Sequence, residues 1–179
     1  PQQPRLHRRR CRPPIPRLNR VPADTMTTTL PTGSSPLRLA VAGASGRMGH
    51  MLIEAIRQSG DCVLAGALDV ASSPAMGSDA CAFLGAPGGV LVTSDLRQGL
   101  SGAQVLIDFT RPEGTLAHLA ACRELGVGLV IGTTGFTDAQ KAVIAEAAQQ
   151  IPVMMAPNMS VGVNVTLKLL DMAARALST

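Results

Sequence analysis

The sequence predicts an α/β protein: a Rossmann-like, doubly wound parallel sheet with helices on both faces. Three observations carry that expectation. Short apolar runs recur along the chain, separated by segments with helical hydrophobic spacing. The first run ends in a glycine turn, VAGASGRMGHM (Val41–Met51), with Gly43, Gly46 and Gly49 three apart. The later junctions DFTRPEG, GTTGF and APNMSVG each follow an apolar run, at the carboxyl ends of strands where ligands of parallel sheets bind. All four junctions are expected to line one crevice.

The elements follow in order. LRLAVAG from Leu37 reads as a buried strand, and Gly46–Ser59 carries Met48, Met51, Leu52, Ala55 and Ile56 as a helical stripe. CVLAGAL (62–68) is a second strand. Residues 70–89, rich in Gly, Ser, Ala and Pro, read as a loop, and VLVTS as a short third strand. QVLIDFT (104–110) is a fourth, and Pro112 opens a helix that runs to about Leu125. VGLVIGTT is a fifth strand. A helix from Phe136 to Gln149 has Thr137 as N-cap and Gln140 three residues on. IPVMMAP is a sixth strand. The last helix, near Val161–Leu177, places Val165, Leu169, Met172 and Leu177 on one face.

Composition narrows the function classes. The chain has 179 residues and is 46% hydrophobic, which suits one domain with a real core. Aromatics make up only 2%, with no Trp or Tyr, which argues against a stacking platform for single-stranded nucleic acid. The net charge of +4 is uneven: residues 1–25 hold seven Arg and one Asp, leaving nine basic and eleven acidic residues elsewhere. The basic character belongs to the tail, not the domain, so neither nucleic acid nor membrane is the expected partner. No apolar run reaches the ~18 residues of a membrane span. Four cysteines (Cys11, Cys62, Cys81, Cys122) form no CxxC, so free thiols in the cytoplasm are expected, and no metal site.

Residues 1–36 are expected to be a disordered Arg- and Pro-rich tail and linker. Prolines spoil a transit helix, and no h-region suggests a secretory signal. The chain starts at Pro1 and Met26 opens a plausible start, so the tail reads as translated upstream sequence. Residues 37–160 form the expected dinucleotide-binding domain.

The glycine turn has its own chemistry. A first glycine permits the bend, a second lets backbone approach a pyrophosphate, and a third allows close helix–strand packing. N–H groups at the helix start then face the phosphates. The spacing is GxxGxxG rather than GxGxxG, and a bare strand–turn–helix is the alternative. Context favours a ligand: Asp69 ends the second strand, twenty residues past Gly49, where an acid binds adenosine ribose hydroxyls. Arg47 opposes the helix dipole and so needs an anionic partner, unless it is simply solvated.

Together VAGASGRMG, DFTRPEGTLAHL, VIGTTGF and APNMSVGVNVTLKLL resemble the 4-hydroxy-tetrahydrodipicolinate reductase (dihydrodipicolinate reductase) family, bacterial type, over residues 37–178. GTTGF and NxSVGVN are far more specific than the glycine turn. The resemblance implies hydride transfer from NADH or NADPH to a cyclic dicarboxylic imine in lysine and diaminopimelate biosynthesis. It places Gly43, Ala44, Ser45, Gly46, Arg47, Met48 and Gly49 at the pyrophosphate and adenosine side, with Asp69 on the ribose. Phe109, Thr110 and Arg111 lie along the cofactor. Gly132, Thr133 and Thr134 meet the nicotinamide ribose and carboxamide, with Thr134 also facing the substrate. Pro157, Asn158 and Met159 sit beside the nicotinamide.

Other residues read as structural. Asp108 is expected to bond backbone N–H groups of the following turn. His118 and His50 lie on helices rather than strand ends and are expected to be structural or surface residues, not proton donors.

The family continues into a second domain that binds the substrate carboxylates, is thought to supply the proton, and holds the homotetramer contacts. No such segment appears here, so no catalytic residue is assigned within the chain. Residues 161–179 read as the start of a linking helix, with the catalytic groups expected beyond Thr179. The chain is expected to bind cofactor but to turn over at background level, and its last helix to risk aggregation. Val70, not Arg, follows Asp69, so NADH is expected to bind at least as well as NADPH. The rival readings are a non-catalytic NAD(P)-binding or redox-sensing module, another small dehydrogenase, and a nucleic-acid binder led by the tail.

Overall fold

The structure is a computed structural model and describes residues 35–178. The expected tail and linker lie outside these residues, apart from their last two positions. Six strands form one sheet: β1 (Leu37–Ala42), β2 (Cys62–Leu68), β3 (Val92–Thr93), β4 (Val105–Asp108), β5 (Gly128–Ile131) and β6 (Val153–Met155). Their order is β3-β2-β1-β4-β5-β6, and every pair is parallel. The strand order reverses between β1 and β4, so their carboxyl ends flank the crevice where ligands of open α/β sheets bind.

Five helices connect or follow the strands: α1 (Arg47–Gln58), α2 (Leu96–Leu100), α3 (Pro112–Leu125), α4 (Asp138–Ala147) and α5 (Val161–Leu177). β1 shows why both faces are covered. Leu39 and Val41 point into a core with Ile53 and Ile56 of α1, while Ala40 and Ala42 point into the other with Leu100, Leu119 and Ile144. Alternate residues of a strand face opposite ways, and both sets here are apolar, as parallel sheets require. Thus α1 covers one face and α2, α3 and α4 the other.

Local chemistry sets the boundaries. Pro112 occupies the first turn of α3, and Gly126 closes it with φ 68°. Thr137 and Gln140 form the expected capping box of α4: the Thr137 hydroxyl accepts from the Gln140 N–H, and the Gln140 side chain accepts from the Thr137 N–H.

Three expectations are corrected. The third strand shrinks to Val92–Thr93. The loop at 70–89 contains a single 3-10 turn, Ala82–Leu84, and is gathered by Asp79, whose carboxylate accepts from the N–H groups of Cys81, Gly88 and Gly89. The helix α2 is additional: Asp95 caps it by accepting from the Gln98 N–H at 3.0 Å. α5 has the expected bounds, and none of its described side chains is buried.

Candidate functional site

A cleft of about 1480 Å³ opens at the carboxyl ends of β1, β2 and β4. The glycine turn builds one wall. Gly43 adopts φ 72°, a left-handed conformation that only glycine takes without strain. The Ala44 N–H then donates to the Leu68 carbonyl at 3.0 Å, which ties the turn to β2 and leaves Ala44 buried behind it. A Cβ on Gly49 would lie 2.2 Å from the Gly43 carbonyl oxygen and 2.7 Å from that of Ala44. The third glycine therefore lets α1 start hard against the turn.

The start of α1 is under-satisfied. Gly46, its N-cap, has no side chain to accept a hydrogen bond, and no acidic residue occupies the first turn. Among the described residues no acceptor meets the N–H groups of Arg47, Met48 or Gly49. Unpaired N–H groups at a helix start carry a partial positive charge, and a bound anion satisfies both. Arg47 adds a formal cation in the same place. It lines the cleft, as Arg111 does, and neither has an ion pair among the described residues.

Asp69 joins the second wall to the first. Its Oδ2 accepts from the Ser45 N–H at 2.8 Å and the Ser45 hydroxyl at 2.5 Å, and its Oδ1 accepts from the Val70 N–H at 2.8 Å. The Ser73 hydroxyl lies 3.1 Å from that of Ser45. The acid thus braces the glycine turn while lining the cleft. This bracing is a second task for Asp69 beside the expected ribose contact, and it joins residues 24 positions apart.

The end of β4 supplies the third wall: Phe109, Thr110 and Arg111 line the cleft. Behind them lies a buried polar network. Asp108 has no exposed surface. Its Oδ1 accepts from the Thr110 N–H at 2.8 Å and the Thr110 hydroxyl at 2.6 Å. Its Oδ2 is 2.7 Å from His118 Nδ1. The Thr133 hydroxyl lies 3.4 Å from Oδ1 and accepts from the Thr115 hydroxyl at 3.0 Å. Burial works to push the Asp108 carboxyl up, but the hydrogen bonds from His118 and Thr110 and the charge of His118 outweigh it and hold the group below the usual carboxylate range. Burial, with the Asp108 charge, pushes the nearby Cys122 thiol up to about 12.

The backbone part of the Asp108 expectation holds, since it bonds the Thr110 N–H of the next turn. His118 departs from its expected place. It sits on α3, yet its ring packs against the strand-end carboxylate and lines the cleft. The spacing was visible as DFTRPEGTLAH: Pro112 fixes where α3 starts, and His118 then falls on the helix's second turn. His50 stacks on Phe83 with ring centroids 4.0 Å apart.

The cleft takes in part of the expected crevice. Gly43, Ser45, Gly46, Arg47, Met48, Gly49, Asp69, Phe109, Thr110 and Arg111 line this cleft. Gly132, Thr133, Thr134, Pro157, Asn158 and Met159 lie outside its lining. They share the carboxyl edge of the sheet, after β5 and β6, but the Thr133 side chain is buried in the Asp108 network, and Asn158 Oδ1 accepts from the Ser160 N–H at 2.8 Å. A Cβ on Gly132 would lie 2.0 Å from the Phe109 ring, so the two strand-end loops touch there.

Among the described residues no His, Cys, Asp and Glu group of three could hold a metal ion. Among the same residues no helix is long and apolar enough to cross a membrane.

Known proteins match this arrangement. The chain is 64% identical over 142 residues to the 4-hydroxy-tetrahydrodipicolinate reductase of Herminiimonas arsenicoxydans, covering 79% of this chain and 53% of that protein. It is 59% identical over 143 residues to the same-named protein of Cupriavidus taiwanensis, covering 80% and 54%. Among solved structures, a dipicolinate-bound dihydrodipicolinate reductase from Paenisporosarcina sp. TG-14 superposes with a TM-score of 0.63 at 26% identity, covering 78% of this chain and 54% of that one. The chain therefore spans about half the length of the curated relatives it matches. Residues 37–159 match the family described as dihydrodipicolinate reductase, N-terminus, and the chain belongs to that family.

Proposed function

We propose that this chain is the cofactor-holding half of a 4-hydroxy-tetrahydrodipicolinate reductase of lysine and diaminopimelate biosynthesis, with NADH or NADPH as the cofactor. The observation that carries this reading is the start of α1. Three N–H groups without acceptors, no cap, no acid and an exposed Arg47 together fit a pyrophosphate better than water. The close-packed glycines leave room there that any Cβ would reduce.

The reduced nicotinamide, when bound, supplies the hydride. The chain's own residues bind and orient. Gly43 to Gly49 cradle the diphosphate, and Asp69 accepts from the adenosine ribose hydroxyls with the acceptor capacity that Ser45 and Val70 leave free. A carboxylate there repels a 2′-phosphate, so NADH binds at least as well as NADPH. Phe109, Thr110 and Arg111 flank the dinucleotide. Gly132 and Thr133 orient the nicotinamide end, Thr133 through its backbone because its hydroxyl is committed to the buried network. Thr134, exposed, is left to meet the substrate, and Pro157, Asn158 and Met159 border the ring. The substrate is a small cyclic dicarboxylate. Its carboxylates need cationic and hydrogen-bonding partners beyond those the described residues offer, and these, with the proton source and the homotetramer contacts, belong to the second half of the relatives' length.

A fluorescence titration of the chain with NADH and NADPH tests this reading, with Gly46→Asp as control. Saturable binding of both, lost when a carboxylate enters the turn, is the expected result. The same chain should reduce the dicarboxylic imine only at background rate. A folded wild-type chain that binds neither nucleotide would overturn the cofactor assignment.

A further inference from the structure

We propose that Asp108 and His118 form a positioning pair that presents a charged ring N–H to the dinucleotide in the cleft, so that nucleotide affinity falls as the pH rises. This inference rests on the cofactor reading above.

The geometry points this way in three steps. First, a carboxylate with no exposed surface sits on the central strand at the point where the strand order reverses. A buried anion needs paired donors and a compensating charge. Thr110 supplies donors, and among the described residues the one cationic partner within salt-bridge distance is His118, at 2.7 Å through Nδ1. Second, that bond fixes which nitrogen is engaged and how the ring lies. Third, Nε2 finds no partner among the described residues. Among those residues no buried side-chain nitrogen or oxygen lacks a partner, so Nε2 must be reached by solvent. His118 lines the cleft, so the cleft is the side from which a bound ligand would reach Nε2.

The charged and titratable groups around the ring are known. Asp108 faces it from β4. Glu113 and Cys122 share its helix, and Arg111 caps that helix. Arg47 from α1 and Asp69 from the end of β2 line the same cleft. The Cys122 thiol stays neutral. Histidine is the side-chain type that changes charge between about pH 5 and 8. In the imidazolium both nitrogens donate: Nδ1 to Asp108, Nε2 to an acceptor on the bound polyanion.

The test is NADH affinity from about pH 5.5 to 8.5 for the wild-type chain, His118→Gln and Asp108→Asn, alongside NMR of the His118 ring nitrogens with and without NADH. Wild-type affinity should fall about tenfold across the range, the size of a charge-assisted hydrogen bond. His118→Gln should be pH-independent and match the wild type at high pH. Asp108→Asn should flatten the profile while leaving the imidazole in place. If Asp108→Asn fails to fold, the glutamine variant and the NMR shifts still decide. A His118→Gln chain with wild-type affinity and pH profile, or ring nitrogens indifferent to NADH, overturns the pair's role and leaves the cofactor reading standing. A wild-type chain that binds no NADH at any pH overturns both.

Discussion

Two carboxylates, Asp79 and Asp108, carry pH-dependent stability. Backbone hydrogen bonds from Gly88, then Cys81, hold the Asp79 carboxyl below its usual range against the opposing effect of burial. At Asp108 burial is the largest influence and raises the group, and His118 and Thr110 overcome it. A carboxyl whose folded value is depressed contributes stability that is present above its unfolded value of about 3.9 and lost as the pH falls through the folded value. Thermal midpoints measured between about pH 2 and 6 should therefore drop on the acid side. Asp79→Asn should have a lower midpoint near neutrality and a shallower acid decline. Gly132 offers a second residue-scale prediction. An alanine Cβ there meets the Phe109 ring at 2.0 Å, so the ring must leave its place in the cleft wall. Gly132→Ala should cost about 1–3 kcal/mol of stability and weaken NADH binding, read by urea unfolding and by titration.

At the scale of elements, what was legible had a local cause. Pro112 and Gly126 bracket α3, and Thr137 and Gln140 start α4, so those boundaries can be read without the fold. Thr137→Ala should cost about 1 kcal/mol, measured as a lower urea midpoint at unchanged slope. α2 was not legible because five residues make too few turns for hydrophobic periodicity. Its one signal was Asp95 three residues before Gln98, a pattern that loops also show. The third strand was read too long because Val90 and Leu91 are apolar, yet the ladder with β2 holds only Val92 and Thr93. Leu91 instead bridges Asp79 in an antiparallel sense.

For the whole molecule, the last helix matters most. α5 has Leu167 at 57% and Leu170 at 59% exposure, together with Val165, Leu169 and Met172. Exposed apolar residues that touch nothing contribute little to folding, and substitutions there usually stay within about 0.5 kcal/mol. Leu167→Gln combined with Leu170→Gln should leave the unfolding midpoint and NADH affinity unchanged while lowering light scattering at high concentration. A clear drop in the midpoint would mean that α5 packs in solution. The cleft shows the same dependence on scale. Its β1, β2 and β4 walls are held together by Ser45–Asp69 and by Gly43 against Thr110, whereas the β5 and β6 junctions share the edge of the sheet without lining it.

The alternation of strands and helices, the glycine turn with its acid twenty residues on, and the family motifs are all readable along the chain, because apolar period, glycine spacing and capping pairs are short-range properties. Three contacts come from packing instead: Asp69 braces the turn through Ser45, His118 meets Asp108 at the cleft, and Thr133 is committed to a buried network. Those contacts join residues 10 to 25 positions apart on different elements. Spacing along a chain says which residues share a face. The packing of β1 between β2 and β4 decides which faces come within hydrogen-bond distance.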